Sequence, residues 1–124
     1  MSAKNYPFGD ALVPDRFDEH TVVLLVRPDD APPFTDEELD RLQAEHLAYL
    51  RDLQREGVLI ANGPLDDQTD ERLRGISIYG VPLSRALELA HADPMVRAKR
   101  LAIEGARWLT PEGTARFGRE GAGS

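Results

Sequence analysis

The chain has 124 residues, 22 acidic against 15 basic side chains, a net charge of −7 and no cysteine. That length suits one domain with a modest core. The acidic balance disfavours a nucleic-acid surface or a basic membrane patch, and the missing cysteines remove disulfides, thiolate catalysis and cysteine metal sites.

The opening MSAKNYPFGD lacks the apolar core of a signal peptide, and no run reaches the roughly 20 apolar residues of a membrane span. A cytoplasmic protein with small-molecule or protein partners is expected. Residues 1–20 carry Tyr6, Phe8, Leu12, Val13 and Phe17 at irregular spacing among Pro, Asp and Gly, which reads as an arm that packs on a surface. Thr21–Arg27, TVVLLVR, is a β-branched run apolar on both faces, so it predicts the first strand. Pro28, Pro32 and Pro33 then enforce a loop.

A long amphipathic helix follows. Thr35 and Glu38 have the spacing of a capping box, and Asp36 and Glu37 suit the positive end of the helix dipole. Gly57 fits the left-handed residue beyond the last turn. At about 100° per residue, Leu39, Leu42, Leu50 and Leu53 lie within about 40° of His46, which centres a histidine in the apolar stripe.

The run Val58–Ala61 predicts a second strand ending near Gly63-Pro64. Leu73–Gly80, LRGISIYG, alternates Ile76 and Ile78 against Gly75, Ser77 and Tyr79, a third strand with a small-residue face, antiparallel to the second. Pro82 and Ser84 open a helix through about Ala92, with Leu83, Leu87 and Ala90 or His91 on one side. Asp93 caps a further short helix that begins at Pro94 and runs to about Lys99. Alternation from Leu101 to Trp108 predicts the fourth strand. GTARFGREGAGS, 113–124, reads as a flexible tail.

The order βαββαβ is the ferredoxin-like α+β plan, an antiparallel sheet with two helices on one face. The domain spans 21–112. The other sheet face is apolar, and a homodimer through that face is its natural cover.

Four places hold the candidate chemistry: His46, the Asn62-Gly63-Pro64 segment, Ser77 and Asp93. Each has a plain structural role available: His46 as a hydrogen-bonded core residue, Gly63-Pro64 as a turn, Ser77 as a small residue beneath a helix, Asp93 as a cap. In this topology they can also converge at one end of the sheet. A carboxylate beside His46 would make it a competent general acid or base, Asn62 could hold a developing oxyanion, and Arg27 suits a substrate carboxylate. His20, in the arm, and His91, near a helix end, read as structural or solvent-exposed. One histidine among dispersed carboxylates has no metal-ligand spacing, and no flavin or haem chemistry is indicated, so neither metal nor cofactor is expected.

The texts EHLAYLRDLQREGVLIANGPL and ALELAHADPMVRA, with the closing strand that carries Trp108, resemble the YCII-related family over roughly residues 21–110. The resemblance implies a dimeric α/β-barrel assembly of ferredoxin-like subunits and a histidine–aspartate dyad at His46 and Asp93. The long N-terminal segment departs from the family's pattern, as does MVRAKRL, where a glycine commonly follows the short helix. A cofactor-independent enzyme of isomerase or lyase type is the implied function, with Asn62, Gly63, Pro64, Ser77 and Arg27 on the substrate. The alternative is a non-catalytic small-ligand or protein-binding dimer, since fold alone does not decide function.

Overall fold

The computed structural model describes residues 15–117. Strand β1, Phe17–Val26, leads to helix α1, Asp36–Arg55, and the hairpin strands β2, Leu59–Pro64, and β3, Leu73–Tyr79. Helices α2, Leu83–His91, and α3, Pro94–Arg97, precede β4, Ala102–Pro111. The sheet is antiparallel with order β2-β3-β1-β4, so the ferredoxin-like plan expected from the element order is the one observed. Among the described residues no helix is long and apolar enough to cross a membrane.

The first strand starts earlier than its apolar run suggests. Phe17–His20, expected in the arm, pair residue by residue with Pro111–Trp108. The text FDEH gives no hydrophobic signal because the partner's backbone supplies the stabilisation there; β4 correspondingly runs three residues past Trp108. The first part of the expected tail also packs back: Gly113 N–H donates to Asp18 at 2.8 Å, and the Phe117 ring meets His20 edge-on at 5.0 Å. The expectations for residues 1–14 and 118–124 lie outside the described residues.

Helix α1 begins and ends as its caps dictate. Thr35 N–H donates to Glu38 Oε1 and Glu38 N–H to Thr35 Oγ1, which closes the capping box. At the other end Val58 N–H donates to the Leu53 carbonyl and Gly57 N–H to Gln54, with Gly57 at φ +78°; this paired closure needs a residue free to turn left-handed.

The main core lies between helices and sheet, where Leu50 and Leu53 of α1 meet Val23, Leu59, Tyr79, Ala86 and Ala90. Burying each large side chain of this set contributes about 1.5–3 kcal/mol. The small residues on α2, Ala86 and Ala90, let that helix settle close to the sheet. A Cβ at Gly105 of β4 would meet Leu87 and Leu83 of α2 at 2.9 and 3.1 Å. Tyr49 O–H donates to the Leu89 carbonyl at 2.7 Å, and this bond ties α1 to α2. A smaller cluster of Leu25, Met95 and Leu101 closes the other end of the sheet.

Tyr79 is 2% exposed. Burial, then the nearby Tyr49 and Asp93, push its phenol from the ordinary 10.0 up to about 12. The unfolded chain therefore loses this proton at lower pH than the folded chain. The contribution of Tyr79 to stability is complete below pH about 10 and is lost as pH rises through about 12. Urea unfolding across that window should show a decline that Tyr79→Phe flattens; an equal decline in the variant would contradict the assignment.

Candidate functional site

His46 and Asp93 are 47 positions apart in sequence and meet inside the protein. His46 is 8% exposed and Asp93 2%. The Nδ1 of His46 lies 2.7 Å from Asp93 Oδ2 and 2.9 Å from Oδ1. A carboxylate only accepts, so Nδ1 carries the hydrogen and donates it. Nε2 is then the ring nitrogen left for other chemistry.

Asp93 also caps α3, accepting Met95 N–H on Oδ1 at 2.9 Å. The two roles considered for it, cap and histidine partner, are thus held by one side chain. The Tyr49 bond to Leu89 brings the end of α2 against α1 one turn beyond His46, which is what delivers Asp93 to the imidazole.

His46 lines a cavity of about 330 Å³ between α1 and the end of the sheet, a size at the lower end of small-ligand pockets. Asn62, Ser77, Gly75 and Met95 form other parts of its wall. The small residues of β3 leave the space: Ser77 is 2% exposed, and a Cβ at Gly75 would sit 3.2 Å from the Gly63 carbonyl oxygen and 3.3 Å from Leu25.

The presence of Asn62 on this face has a specific cause. The pairing of β2 with β3 goes from Leu59↔Tyr79 to Ala61↔Ile78, so Ile60 is an extra residue on β2. Because side chains alternate between faces, one inserted residue reverses every later position. Asn62 consequently pairs with Ser77 on the helix side; without the bulge it would face the opposite surface.

Gly63 and Pro64 also border the cavity, but they do not form the expected turn. They are the last paired residues of β2, opposite Ile76 and Gly75, and the reversal comes later, where Asp67 has φ 57°. Pro64 is compatible with pairing because β2 is an edge strand. Of the remaining histidines, His91 ends α2 in an exposed position. His20 is half-buried in β1, its ring 6.2 Å from that of Trp108.

Arg27, just past β1, lines the cavity as well. Its N–H continues the strand ladder to the Arg72 carbonyl at 2.8 Å. Burial, followed by the charges of Arg100 and Arg74, holds its guanidinium below its ordinary pKa. Arg74 and Arg100 border the same space. Neither stands out in the sequence: Arg74 lies in a polar stretch beside Arg72, and Arg100 follows a short helix among other basic residues.

The family model described as the YCII-related domain matches residues 21–104. Among solved structures, the chain is similar to 5-chloro-2-hydroxyhydroquinone dehydrochlorinase from Burkholderia phenoliruptrix AC1100, solved in complex with 2,5-dihydroxybenzoquinone. Identity is 20% and the TM-score 0.51, with 72% of this chain and 92% of that chain covered. At that identity the likeness establishes shared fold. Comparison with curated proteins finds no match. The family match spans most of the chain, from the apolar part of β1 through β3 and both longer helices, and the chain belongs to the YCII-related family.

Proposed function

We propose that the protein is a cofactor-independent enzyme that moves a proton on a small organic molecule, with His46 as the acid-base group. The observation that carries this reading is the buried His46–Asp93 pair at the wall of a ligand-sized cavity. Asp93 fixes the ring so that Nε2 is the exchanging nitrogen, and it stabilises the imidazolium formed when that nitrogen takes a proton.

The proton comes from carbon next to a carbonyl, the bonding pair moves toward the carbonyl oxygen, and Asn62 and Ser77 hold that oxygen as charge grows on it. His46 then returns the proton to another carbon, completing an isomerisation, or the electron pair expels a leaving group, completing an elimination. Gly63 and Pro64 shape the wall against which the substrate lies, and Arg27 takes an anionic substituent. The dehydrochlorinase with the same fold, bound to a small hydroxylated quinone, supports a small-molecule reaction of this kind.

The assembly belongs to the same proposal. Val22, Leu24, Ile76, Ala106 and Trp108 lie on the sheet face away from the helices by their pairing register, and Trp108 is 41% exposed. A homodimer through this face would remove that apolar surface from water.

Exchange of substrate C–H for deuterium in heavy water, followed by proton NMR over a panel of small phenols, enones and oxo acids, reads the chemistry without knowledge of the product. A compound that exchanges should do so about 10²–10⁴ times more slowly with His46→Gln, and more slowly with Asp93→Asn, at a temperature where circular dichroism shows both variants folded. Unchanged exchange in His46→Gln would overturn the enzyme reading and leave a binding role. Light scattering after size exclusion should give twice the 13.8 kDa chain mass for the wild type and a folded monomer for Trp108→Asp; a monomeric wild type would refute the dimer.

A further inference from the structure

The cavity has a charge pattern that the proton-transfer chemistry does not need. Three arginines, Arg27, Arg74 and Arg100, line it, and no Asp or Glu among the described residues does. This occurs in a chain of net charge −7. Of the cavity arginines, Arg74 donates from Nη1 to the Glu71 carbonyl at 3.1 Å, whereas three arginines outside the cavity lie against carboxylates. Arg72 makes a two-bond pair with Asp70 through Nε and Nη2, Arg85 lies near Glu88, and Arg107 lies near Glu19.

Two of the three cavity arginines depend on local backbone irregularities. The pairing of β1 with β3 goes from Leu25↔Gly75 to Val26↔Leu73, so Arg74 is the unpaired extra residue of a bulge, a device that re-aims a side chain. Arg100 follows Lys99, which has φ 64°. Arg100 N–H closes onto the Met95 carbonyl and Lys99 N–H onto Val96, the helix ending that glycine normally makes. A lysine in this left-handed conformation costs about 1 kcal/mol. The third arginine contains a buried donor: Arg27 Nε is out of contact with water and has no hydrogen-bond partner among the described residues. A buried charged donor left without an acceptor is costly, and in native proteins it calls for an explanation.

We infer that Arg27, Arg74 and Arg100 form an anion clamp, and that the substrate of this site is a small organic dianion, such as a dicarboxylate, whose charged groups rest on the arginines while its reacting carbon faces His46. Planar forks match carboxylates by two parallel hydrogen bonds, and the three arginines that line the cavity bring several such donors to the same space. Like charges brought together in one cavity repel, and a doubly negative ligand converts that repulsion into binding. The inference rests on the proposed small-molecule site, but its test does not require turnover.

Calorimetric titration at low ionic strength with malonate, succinate and phthalate, and with the uncharged amides of the same acids, reads the clamp directly. At least one dianion should bind saturably while its neutral amide does not. Arg27→Gln and Arg100→Gln should each weaken that dianion by about tenfold or more, with Arg74→Gln in the same direction. Arg85→Gln, outside the cavity, should leave binding unchanged. Where a glutamine variant melts early, the lysine variant at that position keeps the charge and should bind between wild type and glutamine. Equal binding of acid and amide, equal binding by Arg27→Gln and Arg85→Gln, or no binding of any of the three dianions would each overturn the inference.

Discussion

One carboxylate organises the functional end of this protein. Asp93 is almost completely buried, and its two oxygens are shared by the His46 ring and the Met95 N–H. A buried charge is tolerated only when its acceptor capacity is used. Here the charge-assisted bond to imidazole and the helix cap meet that need together. The same contacts join α1 to α3, so the geometry of the site and the packing of the helices are one constraint. Small residues on α2 and the Tyr49 bond to Leu89 bring the chain into position for it.

Around that anchor the cavity is shaped by departures from regular structure. The extra residue Ile60 turns Asn62 toward Ser77, and the extra residue Arg74 interrupts the ladder at the far end of β3. Lys99 adopts a conformation ordinarily reserved for glycine, with Arg100 directly behind it. Each irregularity has a cost in strain or lost pairing, and the residues associated with them, Asn62, Arg74 and Arg100, line one cavity. Regular elements make the scaffold, while the bulges and the left-handed turn determine which polar side chains reach it.

Much of the scaffold is legible in the sequence because its signals are local. Capping at Thr35 and Glu38, Gly57 at the helix end, the apolar stripe through His46 and the alternation in LRGISIYG all act within a few residues. Asp93 before Pro94 signals a cap for the same reason, whereas its pairing with His46, 47 positions away, is implied by the family resemblance rather than by any local signal. What sequence reading misses depends on partners distant along the chain. Phe17–His20 are a strand only because Trp108–Pro111 pair with them. Gly63-Pro64 resembles a turn in isolation, yet β3 extends the ladder to include it. Arg74 and Arg100 reach the cavity through a register shift and a backbone conformation that residue type does not encode.

The most direct test is nitrogen-15 NMR of the His46 ring and the Met95 amide, compared between wild type and Asp93→Ser. Serine retains an N-cap oxygen but is too short to reach the imidazole. In the wild type His46 should carry a hydrogen on Nδ1 that is donated to Asp93, this bonded hydrogen should be lost from Nδ1 in the variant, and Met95 amide protection should be preserved in both. A His46 ring with no hydrogen on Nδ1 in the wild type, or a ring spectrum unchanged by Asp93→Ser, would contradict this geometry.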